Sequence, residues 1–242
     1  MEERSDVLRE LELGNSENIG KISRYSEPVN DYVKFLNSIS DRSKGLTELD
    51  IYKKLDTELK EILGGEVIID SESNIMFKID TNQIIDLGMV SSTVKTLAGF
   101  YLYLKYLAME RDIIFIDEIE LNLHPENQRK IIKLINYLSK QGIKFIISTH
   151  SPIITEEIDN MLLFEKVKDR INKEEMEEYG LNEEYGLKSS DISVFHLHNK
   201  TVEKIKEKGG EFEIETFNSV LEETDNLYQT LLFYTEGNNF GE

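Results

Sequence analysis

From residue 1 to residue 28 no apolar rhythm is sustained, and the stretch reads as a polar N-terminal tail. Helical spacing begins at Asp31–Ser38. It returns over Leu46–Leu63, where Leu49, Ile51, Leu55, Leu59, Ile62 and Leu63 recur at helical intervals ahead of the stop signal Gly64-Gly65. Two short runs of β-formers, Glu66–Asp70 and Ile75–Asp80, flank the turn-rich Ser71-Glu72-Ser73-Asn74 and predict a hairpin, with a third strand at Gln83–Asp86. Thr96–Met109 is apolar on nearly every side, which predicts a helix buried in a core rather than laid on a surface.

Beyond Arg111 and Asp112 the rhythm changes. Ile113–Ile116 is wholly apolar, Glu126–Ser139 gathers Ile131, Ile132, Leu134, Ile135 and Leu138 on one helical side, and Ile143–Ile147 is apolar again. Strand, helix, strand with unbroken apolar strands predicts a parallel βαβ unit covered on both faces. A short helix is expected after Pro152, a further strand within Met161–Val167, a closing hairpin from Ile192–His198 and Thr201–Ile205, and a closing helix over Glu215–Tyr234. The fold class is therefore α/β with a parallel βαβ core. We divide it into the tail (1–28), an α+β arm region (29–90), a lobe around the βαβ unit (91–167), a charged insertion (168–190) and the closing hairpin and helix (191–242).

Composition narrows the function classes. With 39% apolar and 31% charged residues and three prolines in 242, the chain is of the ordinary folded kind. It has no cysteine, which removes disulfides and thiolate metal sites, and a formal charge of -19, which repels nucleic acid over most of the surface. Direct nucleic-acid binding by this chain alone is disfavoured. No apolar stretch is long enough for a membrane span, and Met1–Gly14 is too charged for a signal peptide, so a cytoplasmic address is expected.

The chemistry concentrates at FIDEIELNLHP, Phe115–Pro125, where Asp117 and Glu118 end an apolar strand. Burying unpaired carboxylates costs several kcal/mol, but in a parallel sheet the carboxyl ends of strands open onto a crevice where ligands bind. There Asp117 suits a Mg²⁺ held through water and Glu118 suits work on an attacking water; the competing reading is that the pair caps the next helix. The neighbouring strand ends in Ser148-Thr149-His150, which brings an imidazole to the same crevice, unless His150 only caps the helix that Pro152 opens. His196 and His198, at i and i+2 on one strand face, form a possible metal pair or a structural one.

Three stretches together carry a family resemblance: IIFIDEIELNLHP resembles a Walker B strand with its catalytic glutamate and D-loop, FIISTHSP a switch-histidine loop, and MVSSTVKTLAGFYLYLKYLA a signature motif with its helix. In order and spacing the chain resembles the C-terminal half of ABC-type ATPases, in particular the OLD-like AAA-family ATPases of bacterial and phage defence. The resemblance implies ATP and Mg²⁺ as cofactors. It implies Asp117 as a Mg²⁺ support, Glu118 as the residue that polarises the hydrolytic water, His150 as a γ-phosphate sensor, and Leu123, His124 and Pro125 as the D-loop. Ser91, with the amides of Ser92 and Thr93, would meet a nucleotide held by a second subunit, although Ser92 and Thr93 replace the usual glycines.

A P-loop needs Gly, four residues, then Gly-Lys-Ser/Thr after a strand, and the chain contains none; Gly14–Lys21 has five intervening residues and no strand before it. The sequence therefore predicts the C-terminal lobe of such an ATPase, competent only when a P-loop-bearing chain or dimer partner completes it, with an effector protein as a further possible partner. The alternative is a non-catalytic interaction protein that keeps the fold as a docking surface.

Overall fold

The computed structural model describes Phe35, Ile39 and residues 51–70, 74–79, 83–109, 111–198, 200–212 and 214–237. The tail, most of Asp31–Ser38, Gly14–Lys21 and the tip of the first hairpin lie outside these. The chain divides into two compact units, Met1–Ala108 and Met109–Glu242.

In the first unit, α1 (Ile51–Leu63) turns Leu55, Leu59, Ile62 and Leu63 inward at steps of four, three and one. It ends on Gly64 at φ 69, and the Gly65 N–H reaches back to the Lys60 carbonyl at 3.0 Å, a six-to-one closure that needs a left-handed residue. Gly65 is also pressed so close that an added Cβ would lie 2.6 Å from the Lys78 carbonyl and the Phe77 ring. Strands β1 (Glu66–Ile69), β2 (Ile75–Lys78) and β3 (Ile84–Asp86) form an antiparallel sheet in that order. Helix α2 (Ser92–Tyr106) buries Val94, Leu97, Ala98, Tyr101, Leu102 and Leu104. Fully buried Tyr101 keeps its hydroxyl satisfied by donating to Asp56 at 2.7 Å.

The second unit opens with β4 (Ile113–Ile116), α3 (Pro125–Lys140), β5 (Lys144–Ile147) and α4 (Pro152–Val167). β4 and β5 are parallel, with Ile113 opposite Lys144 and Ile116 opposite Ile147. α3 packs on β5 and on α4, burying Ile131, Leu134 and Leu138 from one helix and Ile154, Met161 and Leu162 from the other. Two expectations change here. Met161–Val167 is not a strand but the second half of α4: nothing breaks the helix after Pro152, and Ile154, Ile158, Met161 and Leu162 share one buried helical face. Nor do the described residues cover the parallel pair on both faces: Ile113, Phe115 and Ile146 are 55%, 73% and 55% exposed.

Within the charged stretch, α5 (Lys173–Glu178) starts on a capping box of Asn172 and Glu175, and Tyr185 and Leu187 are buried. The hairpin β6 (Val194–His198) with β7 (Thr201–Ile205) follows, then a small ribbon β8 (Glu207–Lys208) with β9 (Glu211–Phe212), which docks on α4, and the long helix α6 (Glu215–Gly237).

Candidate functional site

The parallel register sets the ends of β4 and β5 side by side, and hydrogen bonds continue past the strands. Ser148 N–H donates to the Ile116 carbonyl at 3.0 Å, and Ile119 N–H to the Ser148 carbonyl at 3.3 Å. Ser148 then links the two acids: its hydroxyl donates to Asp117 Oδ1 and accepts the Glu118 N–H at 2.8 Å. The Asp117 and Glu118 side chains open to solvent, so no carboxylate is stranded in the core.

Glu118 holds φ at 47°, a left-handed conformation that a non-glycine residue adopts at a cost of roughly 1 to 2 kcal/mol. Asn122, at φ 61°, is a residue type better suited to that region. These two reversals fold Ile119–Leu123 into a tight loop, closed by Leu121 N–H to the Glu118 carbonyl at 2.8 Å and Leu123 N–H to the Glu120 carbonyl at 2.9 Å. Ile119 and Leu123 are buried and anchor the loop.

The acids do not cap α3. His124 occupies that position, its Nδ1 accepting the Glu126 N–H at 3.4 Å, and Pro125 stands in the first turn where a missing N–H is harmless. Nor does His150 cap α4: the N-cap is Ser151, without a side-chain cap bond, and the exposed imidazole has no hydrogen bond among the described residues. The backbone of His150 is held instead, its N–H donating to Glu120 Oε1 at 2.5 Å. Glu120 Oε2 is buried and has no partner among the described residues. Ser151 Oγ donates to Gln128 Oε1 at 2.6 Å, and Gln128 Nε2 to the Leu123 carbonyl at 3.0 Å, so the loops after β4 and β5 are tied at three levels.

Ser148, Glu120 and Gln128 join this candidate site although nothing in the residue types singles them out. Their one signal was position, inside or just after the two quoted motifs. Ser91, Ser92 and Thr93 belong to the first unit: Ser91 is the N-cap of α2, its hydroxyl accepting the Val94 N–H at 3.3 Å, and Ser91 and Ser92 are exposed. His196 and His198 stack on β6, ring centroids 5.5 Å apart, and no group of three or more His, Cys, Asp or Glu among the described residues forms a metal cage.

The exposed Asp117 carboxylate, held by the Ser148 hydroxyl, fits a hard cation that keeps most of its waters and takes one or two protein carboxylates, the habit of Mg²⁺ beside phosphates.

Residues 11–156 match the family described as AAA domain, putative AbiEii toxin, Type IV TA system. Among solved structures, an SMC ATPase studied for ATP-driven dimerization and DNA-stimulated activation is 14% identical over 81% of this chain and 96% of that one, with a TM-score of 0.41. The SmcHead bound to the C-winged helix domain of ScpA is 19% identical over 51% of this chain and 46% of its own, with a TM-score of 0.34. No helix among the described residues is long and apolar enough to cross a membrane.

Proposed function

We propose, because this chain belongs to the AAA-domain family that matches residues 11–156, that it is the C-terminal lobe of an ABC-type ATPase of the OLD-like kind. In this reading it hydrolyses ATP when a P-loop-bearing chain or a second subunit completes it. The observation that carries the reading is the joined pair of strand ends, where Ser148 holds both Asp117 and Glu118 and Glu120 holds the backbone of His150. Asp117 would hold a Mg²⁺, which would supply charge neutralisation for the phosphates. Glu118 polarises the hydrolytic water, and its strained backbone fixes the direction of the carboxylate. His150 reads the γ-phosphate with an imidazole left unengaged by its own loop. Ser91, with the amides of Ser92 and Thr93, meets the phosphate of a nucleotide held across the assembly, where a helix N-terminus offers free donors.

Completion by a partner has its own support. The outer face of the β4–β5 pair presents Ile113, Phe115 and Ile146 to solvent, and among the described residues no further strand pairs with either edge of the sheet. A P-loop lobe would supply further strands and cover for that face, together with the amide and lysine cradle that phosphoryl transfer needs. A role in defence against phage follows from the OLD-like assignment alone.

The test is reconstitution with candidate P-loop-bearing chains in Mg²⁺ and ATP. Hydrolysis should appear on mixing and fall by at least roughly 10²-fold in Glu118→Gln, the scale of a positioned base. Hydrolysis unchanged in Glu118→Gln would exclude the catalytic reading. The same uncovered face favours a second reading, a non-catalytic docking protein; partner binding that needs no nucleotide and survives Asp117→Ala with Glu118→Gln would select it.

A further inference from the structure

The charged stretch repeats itself. Glu177-Glu178-Tyr179-Gly180-Leu181 recurs six residues later as Glu183-Glu184-Tyr185-Gly186-Leu187. The two copies are placed in opposite ways: Tyr185 and Leu187 are 9% and 8% exposed, whereas Tyr179 is 66% exposed.

The second copy sits in a groove between α3 and α4. From α3, Asn136 Nδ2 donates to the Tyr185 carbonyl at 2.9 Å and to the Glu184 and Gly186 carbonyls at 3.4 Å, and Lys140 Nζ donates to the Glu184 and Gly186 carbonyls as well. From α4, Glu157 Oε1 accepts the Tyr185 hydroxyl at 2.8 Å and Phe164 meets the Tyr185 ring edge-on, centroids 5.3 Å apart. The Met161 carbonyl accepts the Leu187 N–H at 3.0 Å. Gly186 lies against Glu165, which an added Cβ would push aside. These contacts use main chain, one tyrosine side chain and the bare Cα of a glycine. The first copy carries all of them in the same order.

What decides between the copies lies outside the pentapeptide. Asn182 precedes the second copy, and its Oδ1 accepts the Glu184 N–H at 2.9 Å, closing the turn that presents Tyr185; Met176, at the same place before the first copy, offers no such oxygen. The first copy is drawn instead into the end of α5, with Gly180 at φ 62 and the Leu181 N–H donating to the Met176 carbonyl at 2.8 Å. α5 has six residues, too few to be stable by itself, so its hold on the first copy is weak.

We propose that residues 177–181 and 183–187 compete for the one groove between α3 and α4. The second copy is seated in the ground state, and the first is seated in a minor state reached by unwinding α5 and shifting the chain by six residues. The shift passes six residues from the α4 side of the anchor to the side of the β6–β7 hairpin, so the groove is a two-position latch that sets the length of the link to that hairpin. Because α4 tethers the first copy to the groove at an effective concentration on the order of millimolar, it outcompetes the same segment of a second molecule at micromolar protein. The exchange uses no nucleotide and no residue of the Asp117, Glu118 and His150 loops, so it stands or falls separately from the ATPase reading.

The test is a double-mutant cycle in chemical denaturation of the full chain without nucleotide. Tyr179→Ser alone should leave the unfolding midpoint unchanged. In a Tyr185→Ser background, where the first copy takes the groove, the same substitution should lower the folding equilibrium constant at least about fivefold. With phenylalanine and tyrosine isotope-labelled, Tyr185→Ser should also show a nuclear Overhauser contact between the Phe164 and Tyr179 rings. Additive effects of the two substitutions, absence of that ring contact, or a Tyr185→Ser chain that fills the groove only by dimerising would each overturn the proposal. Should Tyr185→Ser not fold, Asn172→Ala with Asn182→Ala leaves the groove and both tyrosines intact while weakening α5 and the turn before Tyr185. There the Phe164–Tyr179 contact should appear beside the Phe164–Tyr185 one, and its absence overturns the proposal.

Discussion

Asp159, half-buried on α4, accepts the Phe212 N–H at 3.0 Å. Desolvation pushes its pKa from 3.8 to about 6; the Phe212 bond opposes this and the nearby Glu211 and Glu156 add to it. A raised carboxyl means that the native state holds the proton more tightly than the unfolded chain. The stability it contributes is full below pH 3.8 and is lost as pH rises to about 6. Asp159→Asn keeps a carbonyl acceptor and removes that slope. After allowance for solvent screening, the variant should gain about 1 kcal/mol on wild type between pH 4 and pH 7 in denaturant titrations; parallel curves would refute it. His150 gives the second test at this scale. Since its imidazole caps nothing, His150→Ala should leave the melting temperature unchanged and lower turnover of the reconstituted ATPase roughly 10²-fold, with a much smaller loss of ATP affinity. The placement of Asp117, Glu118 and His150 just past two strand ends is legible in the sequence, because charged or titratable groups right after apolar strands are conspicuous. That of Ser148 and Glu120 is not, because a serine between two strand ends or a third acid in a loop acquires its role from a partner about 30 residues away in the chain.

Between α3 and α4 the decisive group is Glu157, 1% exposed, which takes Arg129 at 2.6 Å, Lys133 at 3.4 Å and the Tyr185 hydroxyl at 2.8 Å. Burial first, then its bond to Glu157, raises the Tyr185 phenol well above its ordinary range. Which deletion hurts most depends on what is left behind. Arg129→Met leaves a buried carboxylate with the Tyr185 hydroxyl and one distant lysine as its only cation, whereas Glu157→Gln leaves two cations that reach water and still accepts from Tyr185. We expect Arg129→Met to cost roughly 2 to 3 kcal/mol and Glu157→Gln about 1. Equal losses in chemical denaturation would mean that packing, not charge, sets the helix pair. This pairing also explains why Met161–Val167 is helix where the sequence suggests a strand: an apolar run suits a strand or a helix equally, and the choice is made by Ile154 and Ile158, two turns and one turn earlier. The uncovered outer face of β4–β5 was illegible for a related reason, since an apolar strand looks the same whether its cover is in the chain or in a partner.

At the scale of the whole molecule the chain carries a net charge of -19, so a second copy is repelled unless something specific joins them, and nucleotide bound across the assembly is the candidate at the N-terminus of α2. Ser91 tests this because it has two separable duties. Its hydroxyl caps the helix by accepting the Val94 N–H at 3.3 Å, and in our reading it also meets a γ-phosphate. Arginine there would remove the cap as well as block the phosphate, and a loss of association would be ambiguous. Aspartate separates the duties: it caps a helix as well as serine does, and favours the positive end of the helix dipole, yet its carboxylate repels an incoming phosphate. Ser91→Asp should therefore keep the wild-type melting temperature and abolish ATP-dependent association in the reconstituted system, while Ser91→Thr keeps both. If Ser91→Asp still assembles on adding ATP, the α2 N-terminus is only a capped helix and the phosphate contact must be sought elsewhere.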